Sequence, residues 1–358
     1  MVLFLTNTAT QFMNAIIIKN TLLQDEVCDV YYTDNLSDYA RKAQEFAVFN
    51  NSYQITLVKD ICARDSHVKK AIVRIKNGLD FSEVMKMLPS DPMQYSRVFA
   101  SGISLRNYEY YYAIKSKNQN VKLSLFEEGL CEYYNLSLPH SFARSAFSHL
   151  FFRHYYLEEC DSLYVYTPEA VSNTWPNVAI KKIPYVNDQT ELITLLNKIF
   201  RYEPKEMVNT DGKVVILEQA FYEDVQIKNQ EEIIRVLSEV FGKDRIIIKL
   251  HPRSEANKYG QGYQYVKTNI PFEIIAINED VDKDAIYVSI SSSAVLNFKL
   301  MLNKEPKAIV LNRFNKSDEK KNESQSVFDY VKNAYTENRF YMPLDDEELI
   351  EAAKALSM

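Results

Sequence analysis

Short apolar runs alternate with longer segments of helical periodicity along most of the chain. β-Branched and aromatic runs predict strands at residues 2–5, 27–32, 55–59, 97–100, 121–126, 162–166, 214–217, 246–250, 272–276, 286–290 and 308–311. Apolar positions spaced three and four residues apart predict helices at residues 12–22, 69–87, 108–115, 190–200, 230–241, 294–302 and 345–356. Strands that alternate with helices in this way predict an α/β fold with mostly parallel sheets.

The alternation is interrupted by the polar segment 201–213, which carries Pro204 and an Asp-Gly turn. A chain of 358 residues is also too long for one ordinary hydrophobic core. We therefore expect two Rossmann-like domains, residues 1–205 and residues 206–358. Two such domains that face each other across a cleft form the GT-B arrangement of glycosyltransferases, which we expect here by fold analogy.

Composition narrows the classes of partner and compartment. The formal net charge is −6 and no long basic run is present, so nucleic acid is not an expected partner. The four cysteines form no CxxC pair, which argues against a zinc site and favours a reduced, cytoplasmic chain. No stretch approaches the roughly 20 apolar residues of a membrane-spanning helix, and the first residues do not resemble a signal peptide. Peripheral contact with the inner face of the membrane and a homodimer stay open.

His251 follows the apolar run at residues 246–250 and precedes Pro252, which cannot continue a strand. The imidazole is therefore expected at the carboxyl edge of a parallel sheet, where open α/β sheets bind ligands. A histidine that only hydrogen-bonds to a neighbouring loop produces the same pattern. The motif by itself does not distinguish these two roles.

Two further features of the second half mark the same predicted edge. Ser291, Ser292 and Ser293 lie between a predicted strand and a predicted helix. Serine hydroxyls and free backbone N–H groups can bind phosphate there without a metal, although simple N-capping needs one serine. Glu273 lies in the predicted strand 272–276, where its carboxylate can accept both hydroxyls of a ribose or can simply face solvent.

Glu127 and Glu128 follow the predicted strand 121–126 and precede Gly129. A base that removes a proton from a hydroxyl must be an ionised carboxylate aimed at the substrate. Because adjacent side chains of a strand point to opposite sides, at most one of the two glutamates is expected to serve. An exposed acidic turn is the alternative. Asp224, which follows the predicted strand 214–217, is a reserve candidate for the base.

The ordered set of motifs resembles that of bacterial sialyltransferases. The Glu-Glu-Gly motif at 127–129, the His-Pro motif at 251–252 and the serine motif at 291–293 are similar to three motifs that recur in those enzymes. The segments 7–11 (Asn-Thr-Ala-Thr-Gln) and 270–273 (Ile-Pro-Phe-Glu) look most like glycosyltransferase family 52. That family includes lipooligosaccharide and capsule sialyltransferases, and the motifs span both predicted domains.

The resemblance implies an inverting transfer of sialic acid from CMP-sialic acid to a galactose-type hydroxyl of a surface glycan, lipooligosaccharide or capsule. No metal or other cofactor is implied, and the partners are a nucleotide sugar and an oligosaccharide acceptor. The first domain would bind the acceptor and the second domain the nucleotide sugar. Glu127 would be the base, with Glu128 or Asp224 as alternatives.

The resemblance also assigns the donor contacts. His251 would protonate or hydrogen-bond the departing CMP phosphate, a role that suits a side chain with an ordinary pKa of about 6.5. The other implied contacts are Glu273 with the cytidine ribose, Pro252 and the three serines Ser291, Ser292 and Ser293 with the nucleotide phosphate, and Asn7 and Gln11 with the donor-sugar side.

Two other functions fit the same fold. One is a transferase with a different donor, either UDP-glucose or, in a polyol-phosphate transferase, CDP-glycerol. The other is a non-catalytic glycan-binding protein, with which the 25 tyrosines and 19 phenylalanines are compatible. The acceptor sugar, the linkage and the number of sugars added have no sequence signal.

Overall fold

The structure is a computed structural model of the chain. It describes residues 1–54, 88, 91–101, 105–134, 159–171, 178–187, 189–203, 209–218, 230–251, 254, 258–279, 284–289, 293–312, 314 and 325–357. The predicted features outside the described residues are the strand at 55–59, the helix at 69–87, Asp224, Pro252, Ser291 and Ser292. The chain forms two compact units, Met1–Pro184 and Tyr185–Met358.

The first unit contains a parallel sheet with helices. Its described strands are β1 (Val2–Thr6), β2 (Cys28–Tyr32), β3 (Asn51–Gln54), β4 (Arg97–Ala100), β5 (Lys122–Phe126), β6 (Cys160–Val165) and β7 (Ala179–Lys182). Its described helices are α1 (Ala9–Thr21), α2 (Ser37–Glu45) and α3 (Leu105–Lys117). The strand order is β3-β2-β1-β4-β5-β6-β7, so the order reverses between β1 and β4. The carboxyl ends of these two strands form the switch point at which such sheets bind ligands.

Apolar side chains explain why β1, β4 and β5 lie together at the centre of this sheet. All five residues of β1 are buried. Phe4, Phe99 and Phe126, one from each strand, pack with 4.8 Å between the ring centroids of Phe4 and Phe99 and 6.1 Å between those of Phe4 and Phe126. Strands buried on both faces have continuous apolar sequences, which is why the sequence predicts these three correctly.

The second unit repeats the same design. Its described strands are β8 (Val214–Leu217), β9 (Ile246–Lys249), β10 (Gln264–Val266), β11 (Ile286–Ser289), β12 (Lys307–Val310) and β13 (Phe340–Tyr341). Its described helices are α4 (Thr190–Phe200), α5 (Gln230–Phe241), α6 (Phe272–Asn278), α7 (Asn297–Leu300), α8 (Gln325–Ala334) and α9 (Asp346–Ser357). The parallel strand order is β10-β9-β8-β11-β12-β13, and the switch point lies between β8 and β11.

Helix α6 corrects one prediction, because residues 272–276 form a helix and not a strand. Every residue from Phe272 to Ile277 is buried, so the segment has no polar face and periodicity cannot distinguish a helix from a strand. Pro271 precedes the first helical residue, and its carbonyl accepts the amide of Ile274 at 3.1 Å. Glu273 therefore lies in the first turn of a helix, not at the edge of a strand.

The strands that the sequence does not predict are β3, β7, β10 and β13, which are short and lie at the sheet edges. Every residue of β7 is exposed, so this strand has no apolar run that could reveal it. Among the described helices, none is long and apolar enough to cross a membrane.

The first compact unit ends at Pro184, before residue 205, where the sequence predicts the end of the first domain. Helix α4 belongs to the second unit, and its Asn197 forms reciprocal amide hydrogen bonds with Asn278 of α6 at 2.9 and 2.8 Å. The polar segment at 201–213 therefore follows the first helix of the second unit.

Candidate active site

Helix α1 begins directly after β1, and its N-terminus is built from the Asn-Thr-Ala-Thr-Gln segment. Thr8 is the N-cap residue, as its side chain predicts, and its hydroxyl accepts the amide N–H of Gln11 at 3.2 Å. The Gln11 side chain folds back, and its Oε1 accepts the amide N–H of Asn7 at 2.5 Å. Gln11 is buried and serves as a capping residue in this arrangement. Asn7 is partly exposed beside it at the end of β1.

Glu128 lies where the carboxyl ends of three strands converge. The Thr8 hydroxyl, after β1, donates to Oε1 of Glu128 at 3.1 Å. The Ser101 hydroxyl, after β4, donates to Oε2 at 2.9 Å. Glu128 itself follows β5 and is partly exposed. The carboxylate is therefore held by one hydroxyl from each side of the switch point of the first sheet.

The side chain of Glu127 is buried and accepts hydrogen bonds from residues of the first unit. It is 3% exposed, and its Oε2 accepts the hydroxyl of Tyr133 at 2.6 Å and the amide N–H of Tyr166 at 2.9 Å. Its backbone carbonyl accepts the side-chain amide of Asn14 at 2.7 Å. Burial and the charge of Glu127 raise the pKa of Tyr133 well above its usual value, so this phenol stays a donor. Glu127 thus joins β5, α1 and the chain after β6.

A Tyr133→Phe variant tests this structural role. Hydrogen bonds to charged groups contribute roughly 1.5–3 kcal/mol, so we expect a loss of that size in the free energy of unfolding, measured by urea denaturation. Tyr164→Phe is the control, because the Tyr164 hydroxyl accepts a hydrogen bond from the more exposed Lys181 at 3.1 Å. It should cost less than about 1 kcal/mol. Equal losses in the two variants would contradict a structural role for the Tyr133–Glu127 contact.

Glu132 is a second carboxyl beside Glu128, and the sequence interpretation does not include it. It ends the 3₁₀ turn Leu130–Glu132 and is 1% exposed. Burial, together with the charge of Glu128, raises the pKa of Glu132 to about 7. The first sheet therefore presents one partly exposed and one buried carboxyl at its switch point, with Ser101 in contact with both.

At the switch point of the second sheet, Glu218 follows β8 and organises the His-Pro turn. Its Oε2 accepts the backbone N–H of His251 at 2.8 Å. Its Oε1 accepts the hydroxyl of Tyr259 at 2.7 Å and the ammonium group of Lys258 at 3.3 Å. Burial opposes ionisation of Glu218, but these donors and Ser254 outweigh it and lower the pKa of the carboxyl. Glu218 is thus an ionised clamp on the backbone of His251.

His251 lies just beyond β9, as predicted, and is partly exposed. Its carbonyl accepts the amide N–H of Ser254 at 2.9 Å, which closes the turn after the strand. Lys249, two residues earlier, has a pKa lowered by burial, an effect that the charge of Glu273 opposes. The charge of Glu273, in the first turn of α6, therefore acts on Lys249, the last residue of β9.

Glu273 lies in the first turn of α6 and is 8% exposed. Its Oε1 accepts the side-chain amide of Asn297, at the start of α7, at 2.9 Å. Of the serine motif, the structure describes the backbone of Ser293, which begins the 3₁₀ turn Ser293–Val295 after β11. In the second unit, His251 thus follows β9, Glu273 lies in α6 and Ser293 follows β11. In the first unit, Asn7 and Glu128 lie at the switch point of the sheet.

The family of the chain follows from a comparison of its sequence. The model of the family described as alpha-2,8-polysialyltransferase (POLYST) matches residues 23–311. The chain belongs to this family. A member of the polysialyltransferase family is a glycosyltransferase, and the resemblance to bacterial sialyltransferases that the motifs predicted is confirmed. No sequence among the curated proteins matches the chain.

Solved structures of other proteins share the fold of this polysialyltransferase-family chain. An alpha/beta-galactoside alpha-2,3-sialyltransferase from Photobacterium phosphoreum is 13% identical, with a TM-score of 0.56 and coverage of 97% of this chain and 99% of that chain. A UDP-GlcNAc 2-epimerase from Neisseria meningitidis, bound to UDP-GlcNAc, is 14% identical, with a TM-score of 0.51 and coverage of 99% and 91%. UGT89C1 of Arabidopsis thaliana, complexed with UDP-L-rhamnose, is 11% identical, with a TM-score of 0.57 and coverage of 99% and 89%. These likenesses confirm the predicted GT-B-like α/β fold.

Proposed function

We propose that this glycosyltransferase moves sialic acid from CMP-sialic acid to a sugar hydroxyl, with inversion at the anomeric carbon. The observation that carries the proposal is the Glu128 carboxylate, which Thr8 and Ser101 orient at the switch point of the first sheet. A carboxylate that is fixed by two hydroxyls and still partly exposed is suited to take a proton from an incoming hydroxyl. The family match supports sialic acid as the transferred sugar.

Glu128 is the base in this proposal, in place of Glu127, the first choice from the sequence. Both donors to Oε2 of Glu127 come from within the first unit, and a substrate hydroxyl would have to displace Tyr133 or the amide of Tyr166 to reach that oxygen. The two oxygens of Glu128 each keep a free lone pair after accepting one hydroxyl. Asp224 stays the alternative base.

The second unit binds the nucleotide in this proposal. His251 donates to the departing CMP phosphate. The Glu218 clamp supports this role, because it fixes the backbone from which the imidazole projects. The serine motif at 291–293 binds the phosphate, with Pro252 beside it, and Glu273 accepts the ribose hydroxyls. A protonated imidazole and hydroxyl donors supply the charge stabilisation that a divalent ion supplies in other transferases, so we propose a metal-independent reaction.

The acceptor has two proposed forms. The motifs imply a galactose-type hydroxyl of a lipooligosaccharide or capsule, whereas the description of the family names an alpha-2,8 linkage between sialic acids. Asn7 remains a proposed contact on the donor-sugar side. Gln11 is the weaker of the two proposed contacts, because its side-chain oxygen already accepts the amide of Asn7.

The test is incubation of the purified chain with CMP-sialic acid and a panel of galactosides and oligosialic acids, with products read by mass spectrometry. We expect an added sialic acid, release of CMP, and the same rate in EDTA. No transfer to any acceptor, with the nucleotide intact, would contradict the proposal. Loss of activity in EDTA that Mg²⁺ restores would contradict its metal-independent form.

A second candidate function is transfer from a UDP-sugar such as UDP-glucose. It is favoured by the fold likeness to proteins whose structures contain UDP-GlcNAc and UDP-L-rhamnose. A CDP-glycerol-type transferase is a further alternative on the same phosphate motifs.

Nucleotide-dependent thermal stability separates these donors. At a CMP concentration about 100 times its Kd, we expect Tm to rise by roughly 5–10 °C. UDP and CDP at the same concentration should raise Tm much less, because we propose that the site recognises a cytidine monophosphate. Stabilisation by UDP without stabilisation by CMP would favour the UDP-sugar transferase. Stabilisation by none of the three would favour a non-catalytic glycan-binding protein.

A further inference from the structure

Glu132 has no role in the proposed reaction so far, although it holds the turn that carries the base. Its Oε2 accepts the backbone N–H groups of Glu128 and Gly129, both at 3.3 Å. The residue is 1% exposed, so no substrate reaches it directly. Side chains that are this deeply buried and this closely tied to a base are candidates for control of its position and its proton.

Ser101 connects the two carboxyl groups. Its Oγ lies 2.9 Å from Oε2 of Glu128 and 3.4 Å from Oε1 of Glu132. A serine hydroxyl has one hydrogen and can donate to one of the two carboxyls at a time. The second contact is a hydrogen bond when the other carboxyl carries a proton and donates it to Oγ. The geometry therefore suits a pair of carboxyls that share one proton through Ser101.

The titration of Glu132 is compatible with such a pair. Burial is the main reason that its pKa is raised to about 7, and the charge of Glu128 adds to the effect, while the amides of Glu128 and Gly129 oppose it. The charge of Glu128 acts on Glu132, and the charges of both carboxyls add to the effect of burial in raising the pKa of the neighbouring Cys131 thiol. Near neutral pH, Glu132 can therefore both accept and release a proton.

We propose that Glu132 is the proton acceptor behind the base and that Ser101 is the path between them. This proposal rests on the proposed function, in which Glu128 removes the proton of the acceptor hydroxyl. As the acceptor oxygen bonds to the anomeric carbon, the bond between that carbon and the phosphate oxygen breaks, CMP leaves, and the proton of the acceptor hydroxyl passes to Oε2 of Glu128. Ser101 Oγ then takes this proton and releases its own to Oε1 of Glu132. The result is a Glu128 carboxylate and a neutral Glu132, which returns the proton to solvent by the reverse path after the product leaves.

The relay predicts a specific pH dependence. Glu132 must be ionised to receive the proton, so kcat should rise with pH through a midpoint at about 7. In Glu132→Gln, one amide oxygen can still accept the N–H groups of Glu128 and Gly129, but the side chain cannot take a proton. We expect this variant to lose the step near pH 7 and to lose about tenfold in kcat, with little change in KM for the donor.

Ser101→Ala removes the path and leaves both carboxyls in place, so it should show the same loss of the step near pH 7. Glu132→Asp keeps a titrating group and should retain a step that Glu132→Gln lacks. Ser124→Ala is the control, because Ser124 is another buried serine of the first unit whose hydroxyl contacts Ser162 and not this pair. A wild-type pH profile in Glu132→Gln would overturn the role of Glu132, and a wild-type profile in Ser101→Ala alone would overturn the path.

A measurement without substrate separates this proposal from the proposed function. Folding raises the pKa of Glu132 from its ordinary value of 4.5 to about 7. Protonation of Glu132 therefore stabilises the native state. This contribution is complete at a pH below the ordinary pKa and is lost as pH rises through about 7. The Tm of the wild type should therefore fall relative to that of Glu132→Gln between about pH 5 and pH 8. A difference in Tm that is constant with pH would overturn the shared proton. If no donor is ever used, the proposed function fails while this result still decides whether Glu132 binds and releases a proton near neutral pH.

Discussion

A Glu128→Gln variant should lose roughly two to four decades of transfer rate while it stays folded. The glutamine keeps an oxygen that can accept the Thr8 hydroxyl and an amide group near Ser101, so the local contacts survive. What it loses is the ability to take the proton of the acceptor hydroxyl. Because the defect lies in the chemical step, we expect kcat to fall with nearly unchanged KM for CMP-sialic acid. Initial rates of CMP release at saturating acceptor measure it.

Glu127→Gln is the matched comparison, since it makes the same change at the adjacent residue. We expect it to weaken the contacts with Tyr133 and Tyr166 and to lower the free energy of unfolding, with a much smaller effect on kcat. The opposite result, a folded Glu127→Gln without activity and a normal Glu128→Gln, would return the role of base to Glu127. If neither variant loses activity and Asp224→Asn does, the base is Asp224.

The placement of the predicted site at sheet edges depends on a strong sequence signal. Buried parallel strands have continuous apolar runs, and the polar residue that ends each run lies at the carboxyl edge. This reasoning places Glu128 and His251 correctly at the ends of β5 and β9. The same signal marks Glu218, which directly follows the apolar run of β8, although the predicted candidate after this strand is Asp224.

Other parts of the site could not be predicted, because they depend on contacts between residues far apart in the chain. Ser101 and Glu128 are 27 residues apart, and Thr8 and Glu128 are 120 apart. No spacing rule connects such residues before the strand order is known. Nor does the sequence show that Glu127 faces Tyr133 and Tyr166, since alternation separates two neighbouring side chains without telling which is buried.

Helix α6 shows a different limit. Its sequence, Phe-Glu-Ile-Ile-Ala-Ile-Asn, is rich in β-branched residues, and local propensity therefore favours a strand. Burial on every side removes the polar face by which an amphipathic helix is recognised. The consequence for the site is that Glu273 projects from the first turn of a helix toward Asn297 and does not lie beside β9 as a strand residue.

His251→Ala should also lose roughly two to four decades of kcat. The lost group is an acid, whereas Glu128→Gln removes a base. The base acts on the acceptor, whereas the imidazole donates to the departing phosphate, so its loss slows departure of CMP. Thermal stabilisation by CMP should decrease only in part, because the variant loses one donor to the phosphate while the Glu218 clamp on the backbone N–H of residue 251 and the proposed serine contacts remain. Rate measurements and CMP titrations on the same preparation separate these effects.

His251→Asn decides between proton donation and hydrogen bonding alone. An asparagine side chain can donate a hydrogen bond to a phosphate oxygen but cannot protonate it. If proton transfer from His251 is required, the asparagine variant should be nearly as slow as the alanine variant. If it recovers most of the wild-type rate, the histidine acts as a hydrogen-bond donor and the charge of the leaving phosphate is stabilised chiefly by the serine motif. Near-normal rates in both variants would remove His251 from the reaction and leave Lys249, a basic residue at the end of β9 on which the charge of Glu273 acts, as the residue to substitute next.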